Sequence, residues 1–274
     1  MAKTLSMQYL FSNAAYPISQ DQSEAIKALA EGATRAAAIR KAEWLKTSKR
    51  VKEGIEITHN PALAKRFYVP KSEPGHKTTG QIGHKIPFTH ADIMKEADEN
   101  GIIMDEPTAM IMADYLAELR QMIIEIHEHE QSMQGFEVIG RLLFAPKDAI
   151  GRAPVMHVDD ASFTLHTTFA GACVKIHNGM NFADTVWDLM DRRKTDKTKT
   201  EESIELQRHT ASYADEFSTT TLNDVLIMRG QAGLDLSDPE QRKRVCTHAS
   251  SPLITVAGQV AATFFIKPVD NALS

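Results

Sequence analysis

Apolar positions in the first half of the chain recur at three- and four-residue steps. Ile111, Tyr115, Leu116, Leu119, Ile123 and Ile126 form one stripe. That spacing predicts a helix with a single buried face, opened by Asp105-Glu-Pro-Thr108 and running to about residue 131. The Ala-rich stretch Ser23 to Lys46 reads as helix by propensity, so residues 1–52 are expected to be helical after an irregular start. Thr89-His-Ala-Asp92 is a capping-box variant that opens a short helix, and Asn100-Gly101 closes it. Residues 58–88 contain Pro61, Pro70, Pro74, Pro87, Gly75, Gly80 and Gly83, the marks of a long connection.

After Gly135 the period shortens. Phe136 to Phe144, Val155 to Asp159, Ser162 to Phe169 and Ala172 to His177 are short runs rich in β-formers, with turns at Gly171 and Asn178-Gly179. A polar stretch from Asp191 to Glu202 reads as an exposed insertion before a helix at roughly 201–216. Strand signals return at 224–229, 244–248 and 259–267, with a brief helix opened by Ser237-Asp-Pro-Glu240. There is no internal repeat and no alternating βαβ rhythm. The expected fold class is α+β, with a helical support region over 1–135 and a β-rich region over 136–274, the two forming one compact unit.

Composition narrows the classes. The 274 residues are 42% hydrophobic and 24% charged, which suits a globular protein with a sizeable core. No apolar run reaches the ~18–20 residues that span a bilayer, and the N-terminus lacks the pattern of a signal peptide. Two cysteines make no disulfide framework, so a cytoplasmic setting is expected. The formal net charge of −5 argues against a nucleic-acid binder. It is spread unevenly, +7 over residues 1–90 and −12 over 91–274. The basic positions Arg35 to Lys52 have a single aromatic, Trp44, among them and no series of stacking platforms, so they read as a solvated helix face.

The 11 histidines are the feature with chemistry in it. In a strand, residues two apart share a face, so His157 and Asp159 present an imidazole and a carboxylate side by side. His248, on a distant strand, would complete two histidines and one carboxylate. That ligand set leaves positions free for substrate and oxygen on a non-haem Fe(II) ion. Other constellations are weaker. In Ile126-His-Glu-His-Glu130 the two histidines diverge by ~200° on a helix and lack the His-Glu-x-x-His spacing of zinc proteases. His76 and His84 lie in the Gly/Pro-rich connection. His166 and His177 are candidates for contacts around the metal site, and Cys246 reads as a buried thiol. No phosphate loop, dinucleotide fingerprint or serine nucleophile elbow is present.

His157-Val-Asp159, the paired strands that follow, and Thr247-His248-Ala-Ser-Ser-Pro252 before a last apolar strand resemble the Fe(II)/2-oxoglutarate-dependent oxygenase superfamily. There is a looser likeness to an uncharacterised bacterial family with His-Val-Asp and His-x-Ser-Pro at similar places. The resemblance covers roughly residues 136–270. It implies a double-stranded β-helix, or cupin-like jelly roll, with His157, Asp159 and His248 binding Fe(II), and with 2-oxoglutarate and O2 as co-substrates of a hydroxylation. The arginine that such enzymes carry about ten residues past the distal histidine is missing here, where Val256-Ala-Gly-Gln-Val260 stands. Similarity to the JmjC type points instead to Lys175 as the 2-oxoglutarate anchor, with Arg229 and Lys267 as fallbacks. A lysine among apolar strand neighbours is costly to bury unless an anion accompanies it. The alternatives are a cupin-like metalloenzyme that does not use 2-oxoglutarate, and a noncatalytic ligand-binding jelly roll.

Overall fold

The computed structural model describes residues 18–59, 81–84, 89–147, 155–177, 182, 184–195, 200–222, 224–250 and 254–269, with backbone alone for 81–84, 191–195, 200–203 and 254–255. His76 and most of the Gly/Pro-rich connection lie outside the described residues.

The N-terminal part is less helical than its propensity predicts. β1 (Ile18–Ser19), α1 (Gln22–Ala30), β2 (Ala36–Ile39), α2 (Ala42–Glu53) and β3 (Ile55–Ile57) follow one another. The strand β2, with sequence Ala-Ala-Ala-Ile, falls inside the stretch that reads as helix, and all four of its residues are buried. Alanine favours helix by a fraction of a kcal/mol per residue, and a place between two strands with both faces covered outweighs that preference. After β4 (Gln81–His84), α3 (His90–Glu99) starts on the expected capping box: Thr89 Oγ1 accepts from the Asp92 amide at 3.2 Å, and the Thr89 amide donates to the Asp92 carboxylate. β5 (Ile102–Met104) pairs with β3. The long helix α4 (Glu106–Glu128) begins where Asp105 accepts from the Thr108 amide at 2.8 Å.

The remainder supplies β6 (Phe136–Ala145), β7 (Phe163–Gly171), β8 (Lys175–His177), β9 (Phe217–Thr219), β10 (Val225–Arg229), β11 (His248–Ala249) and β12 (Gln259–Pro268). Helices α5 (Asp184–Thr195) and α6 (Thr200–Ser212) stand between β8 and β9, and the short α7 (Pro239–Arg242) and α8 (Ile254–Ala257) follow β10 and β11. The stretch read as a polar insertion therefore begins inside helix α5.

These strands build a large sheet in the order β1-β2-β10-β7-β12-β6-β4, antiparallel apart from the β1–β2 pair. A small sheet has the order β11-β8-β9. The large sheet thus takes strands from both sides of residue 135. Its side chains alternate, with one irregularity in the β7–β12 pair at Val260/Ala261. Phe163, Leu165 and Phe169 of β7, Val225 and Ile227 of β10, and Val260, Ala262, Phe264 and Ile266 of β12 face one core with Trp44, Tyr115, Leu116, Leu119 and Ile123 of α2 and α4. On the opposite face Ala36, Ala38, Leu226 and Met228 pack against Val174, Ile176 and Cys246 of the small sheet's side. The small sheet therefore lies over the face of the large one that the helices leave free. A third cluster joins Val155 and Met156 to Val186, Trp187, Leu189 and Leu206 of α5 and α6.

Phe264 is fully buried in the helix-facing core. Phe264→Ala is expected to cost about 3–5 kcal/mol in equilibrium urea unfolding. Val256→Ala, at a side chain 71% exposed, should stay within about 0.5 kcal/mol of wild type.

Candidate metal centre

His157 belongs to no regular strand, yet its backbone is held on both sides. Its amide donates to the His248 carbonyl at 2.9 Å and the His248 amide donates back to the His157 carbonyl at 3.0 Å. Directly paired residues of an antiparallel bridge point to one face, so the two imidazoles stand together, with ring centroids 4.3 Å apart. One residue upstream, the Met156 amide donates to Thr210 Oγ1 of α6 at 2.9 Å, which ties this segment to a helix that packs beneath it.

Asp159 is positioned by a different strap. The amides of Gly230, Gln231 and Ala232 donate to the carbonyls of Ser162, Asp159 and Ala161, each at 3.0 Å. Gly230 sits so close that a Cβ there would press into the Ala161 and Asp159 carbonyls, so the approach requires glycine. The result brings His157 Nε2 to 3.7 Å and His248 Nε2 to 3.5 Å from the Asp159 carboxylate. One ligand atom from each of the three residues lies within 4.8 Å of the others.

The donor chemistry fits a divalent cation. His157 Nδ1 lies 3.0 Å from the Val155 carbonyl, which can only accept, so Nδ1 carries the proton and Nε2 keeps its lone pair. Asp159 Oδ2 is buried and has no hydrogen-bond partner among the described residues, with His248 Nε2 3.5 Å away. Such an oxygen needs a compensating positive charge. Burial alone would raise the Asp159 pKa, but His248 and His157 outweigh it, with the Thr164 hydroxyl and Lys267 acting the same way, and the net shift is downward. The carboxylate is therefore ionised beside two imidazoles, a net donor charge of about −1 when both are neutral.

The sequence-derived candidates separate cleanly. His157, Asp159 and His248 converge. Lys175 does not join them: in the β8–β11 pair His248 stands opposite Ile176 while Lys175 stands opposite Ala249. Ile176 faces the large sheet, so Lys175 projects from the other side of β8. Arg229 is turned to the helix side, paired with Glu130 and stacked on Phe163 at 4.8 Å. His177 is enclosed by Phe182, Tyr213 and Phe217, with Glu216 3.3 Å from its Nε2, apart from the triad. His166 lies on the triad side of β7, and its ring nitrogens are 2.9 Å from Thr263 Oγ1 and 3.1 Å from Thr168 Oγ1. Burial pushes its pKa down to about 4, with His248 adding to the drop and Asp159 opposing it. Arg141 and Lys267 share this face too. Arg141 carried no motif in the sequence; the β6–β12 register is what brings it there. A cleft of about 320 Å³ adjoins the Asp159 segment through Gln231, with Trp187, Leu236 and Arg242 in its wall, and no triad residue lines it.

No protein-family model matches the chain, and no curated protein matches it. Among solved structures it is similar to a rice dioxygenase for auxin oxidation, at 13% identity over 91% of this chain and 80% of that one, with a TM-score of 0.44. It is also similar to a full-length Neurospora crassa protein in complex with alpha-KG and thymine, at 13% identity, 90% and 80% coverage and a TM-score of 0.42. JOX2 in complex with 2OG, Fe and JA matches at 11% identity, 90% and 65% coverage and a TM-score of 0.36. Likenesses this distant leave the chemistry to be argued from the site itself.

Because the His166 pKa is lowered by folding, the unfolded chain binds the extra proton first as pH falls. The native state then loses stability on acidification from about pH 6.5 to about pH 4. His166→Asn should lose less stability over that window than wild type, read from urea midpoints across the pH series. An equal loss in both would show that His166 is not buried in its neutral form.

Proposed function

We propose that this protein is an Fe(II)- and 2-oxoglutarate-dependent oxygenase that hydroxylates a C–H bond of an organic substrate. The observation that carries the reading is the convergence of His157 Nε2, Asp159 and His248 Nε2, beside the packed region between two facing sheets. Two facing sheets of this kind support a jelly-roll, or double-stranded β-helix, architecture for the catalytic region. His157, Asp159 and His248 would hold a divalent ion through two imidazoles and one carboxylate and would leave it positions for other ligands.

Overall the reaction converts substrate C–H, O2 and 2-oxoglutarate to substrate C–OH, succinate and CO2. Iron, when bound, supplies the activation of O2 and the oxidative decarboxylation that drives the hydroxylation. The chain's own residues do the rest. His157, with its Nδ1 proton engaged by Val155, offers Nε2 in a fixed orientation. Asp159 supplies the negative charge that favours a divalent cation over none. His166, held neutral between Thr263 and Thr168, adds no positive charge that would repel the cation. The apolar packing of Ala36, Ala38, Leu226 and Met228 against Val174 and Ile176 keeps water from the neighbouring interior.

Anaerobic Fe(II) titration tests the centre. Wild type should bind one ion per chain, and His157→Ala should weaken binding at least about tenfold, the range seen when metal-site residues are altered. Equal binding by both proteins sinks the site. With iron bound, exposure to O2 and 2-oxoglutarate should yield succinate slowly even without substrate. Iron binding without any succinate would favour a cupin-like metalloenzyme that uses other reactants, a reading to which the position of Lys175 lends weight.

A further inference from the structure

The cleft of about 320 Å³ beside the Asp159 segment holds polar groups that the fold leaves without partners. Gln231 lines it and is only 8% exposed. Its backbone is engaged on both sides, since the amide donates to the Asp159 carbonyl and the carbonyl accepts from the Leu234 amide. Its carboxamide forms no hydrogen bond among the described residues. The same holds for the indole N–H of Trp187, a residue 6% exposed in the cleft wall.

Charged groups of both signs line the same cleft and do not pair with each other. Arg242 donates through Nε to the Leu236 carbonyl and through Nη1 to Asp184, which leaves Nη2 without an acceptor among the described residues. Asp188 has neither a hydrogen bond nor an ion pair among the described residues. Asp235 accepts from the Ser237 amide and hydroxyl with Oδ1 and keeps Oδ2 open. Burying a carboxamide unpaired is unfavourable, and an apolar side chain in its place would avoid the penalty. Such a penalty persists where a group serves binding rather than stability.

The unmet groups define their complement. A carboxamide presents an acceptor and a donor side by side, so it matches a donor and an acceptor held close together on one molecule. Around it, the guanidinium edge and the indole N–H call for an anion, while the two carboxylates call for a cation. A ligand of one charge would satisfy one set and leave the other unmet. An ammonium beside a carboxylate satisfies both, and a volume at the low end for small organic ligands suits so small a molecule. We propose that this cleft binds a free α-amino acid, its ammonium on the acceptors of Asp188, Asp235 and Gln231 and its carboxylate on the donors of Arg242, Trp187 and Gln231. No triad residue lines the cleft, so the assignment does not depend on the metal reading.

Calorimetric titration of the metal-free protein with each of the twenty common amino acids tests this, and keeps chelation at the triad out of the measurement. At least one should bind, at one site per chain. Gln231→Met should weaken it about tenfold or more, and so should Asp188→Asn at an exposed helix position. The matching amine without the carboxylate, and the matching acid without the ammonium, should each bind about tenfold or more weaker than the amino acid. Because the carboxamide has no partner in the folded chain, Gln231→Met should keep or raise the wild-type urea midpoint. A lowered midpoint would give Gln231 a structural role and overturn the proposal. His157→Ala should bind the amino acid as wild type does, and loss there would move the binding to the triad. Binding of none of the twenty, an affinity that either cleft substitution leaves unchanged, or an amine or acid as tight as its parent amino acid also overturns it. Failure of wild type to bind Fe(II) defeats the metal reading alone.

Discussion

Two backbone hydrogen bonds between His157 and His248 are the constraint on which the site depends. They join residues 91 positions apart in an isolated bridge. Neither histidine needs its neighbours to be strand for this to work, since one reciprocal pair suffices to put two side chains on one face. The remaining parts act on either side of that bridge. The 230–232 strap carries Asp159 toward the imidazoles, and Thr210 of α6 holds Met156. Loss of the bridge would free both imidazoles together, whereas loss of the strap would free only the carboxylate.

Sidedness explains both what the sequence revealed and what it hid. The triad was legible because His-x-Asp declares a shared direction whenever the segment is extended, and a third ligand needs only to come near. Lys175 illustrates the limit. Alternation correctly divides Cys173, Lys175 and His177 from Val174 and Ile176, but it does not say which set turns inward. The apolar set does, because Ile176 fills the space against Leu226 and Met228, and the lysine goes to the other side. Arg141 is the converse case. It sits among Gly140 and Leu142 with no motif around it, and only the pairing of β6 with β12 brings it to Phe265.

The helices divide in the same way. The 106–128 helix and the Thr89 capping box were readable because a long apolar stripe and a reciprocal cap are local signals. The strand at Ala36–Ile39 was not, because nothing local distinguishes a buried alanine strand from an alanine helix. Its partners β1 and β10 decide the matter, and β10 is nearly two hundred residues away. Helix α5 was masked by the polar residues that follow it, although Val186, Trp187 and Leu189 give it a buried side against Val155 and Met156. That packing supports the segment carrying His157, so an element invisible to periodicity bears directly on the site.

The triad's face of the large sheet could have been wholly apolar, and a sheet built only for stability would gain by it. Instead β7 and β12 place Thr164, His166, Thr168 and Thr263 there. Burying such groups is unfavourable unless they satisfy one another, and His166 does so by engaging Thr263 and Thr168 together. Its burial also keeps it uncharged at neutral pH. The floor beside Asp159 is then polar but electrically neutral, and the field there is set by few groups: one carboxylate within the triad, and Arg141 and Lys267 at the Phe265 ring.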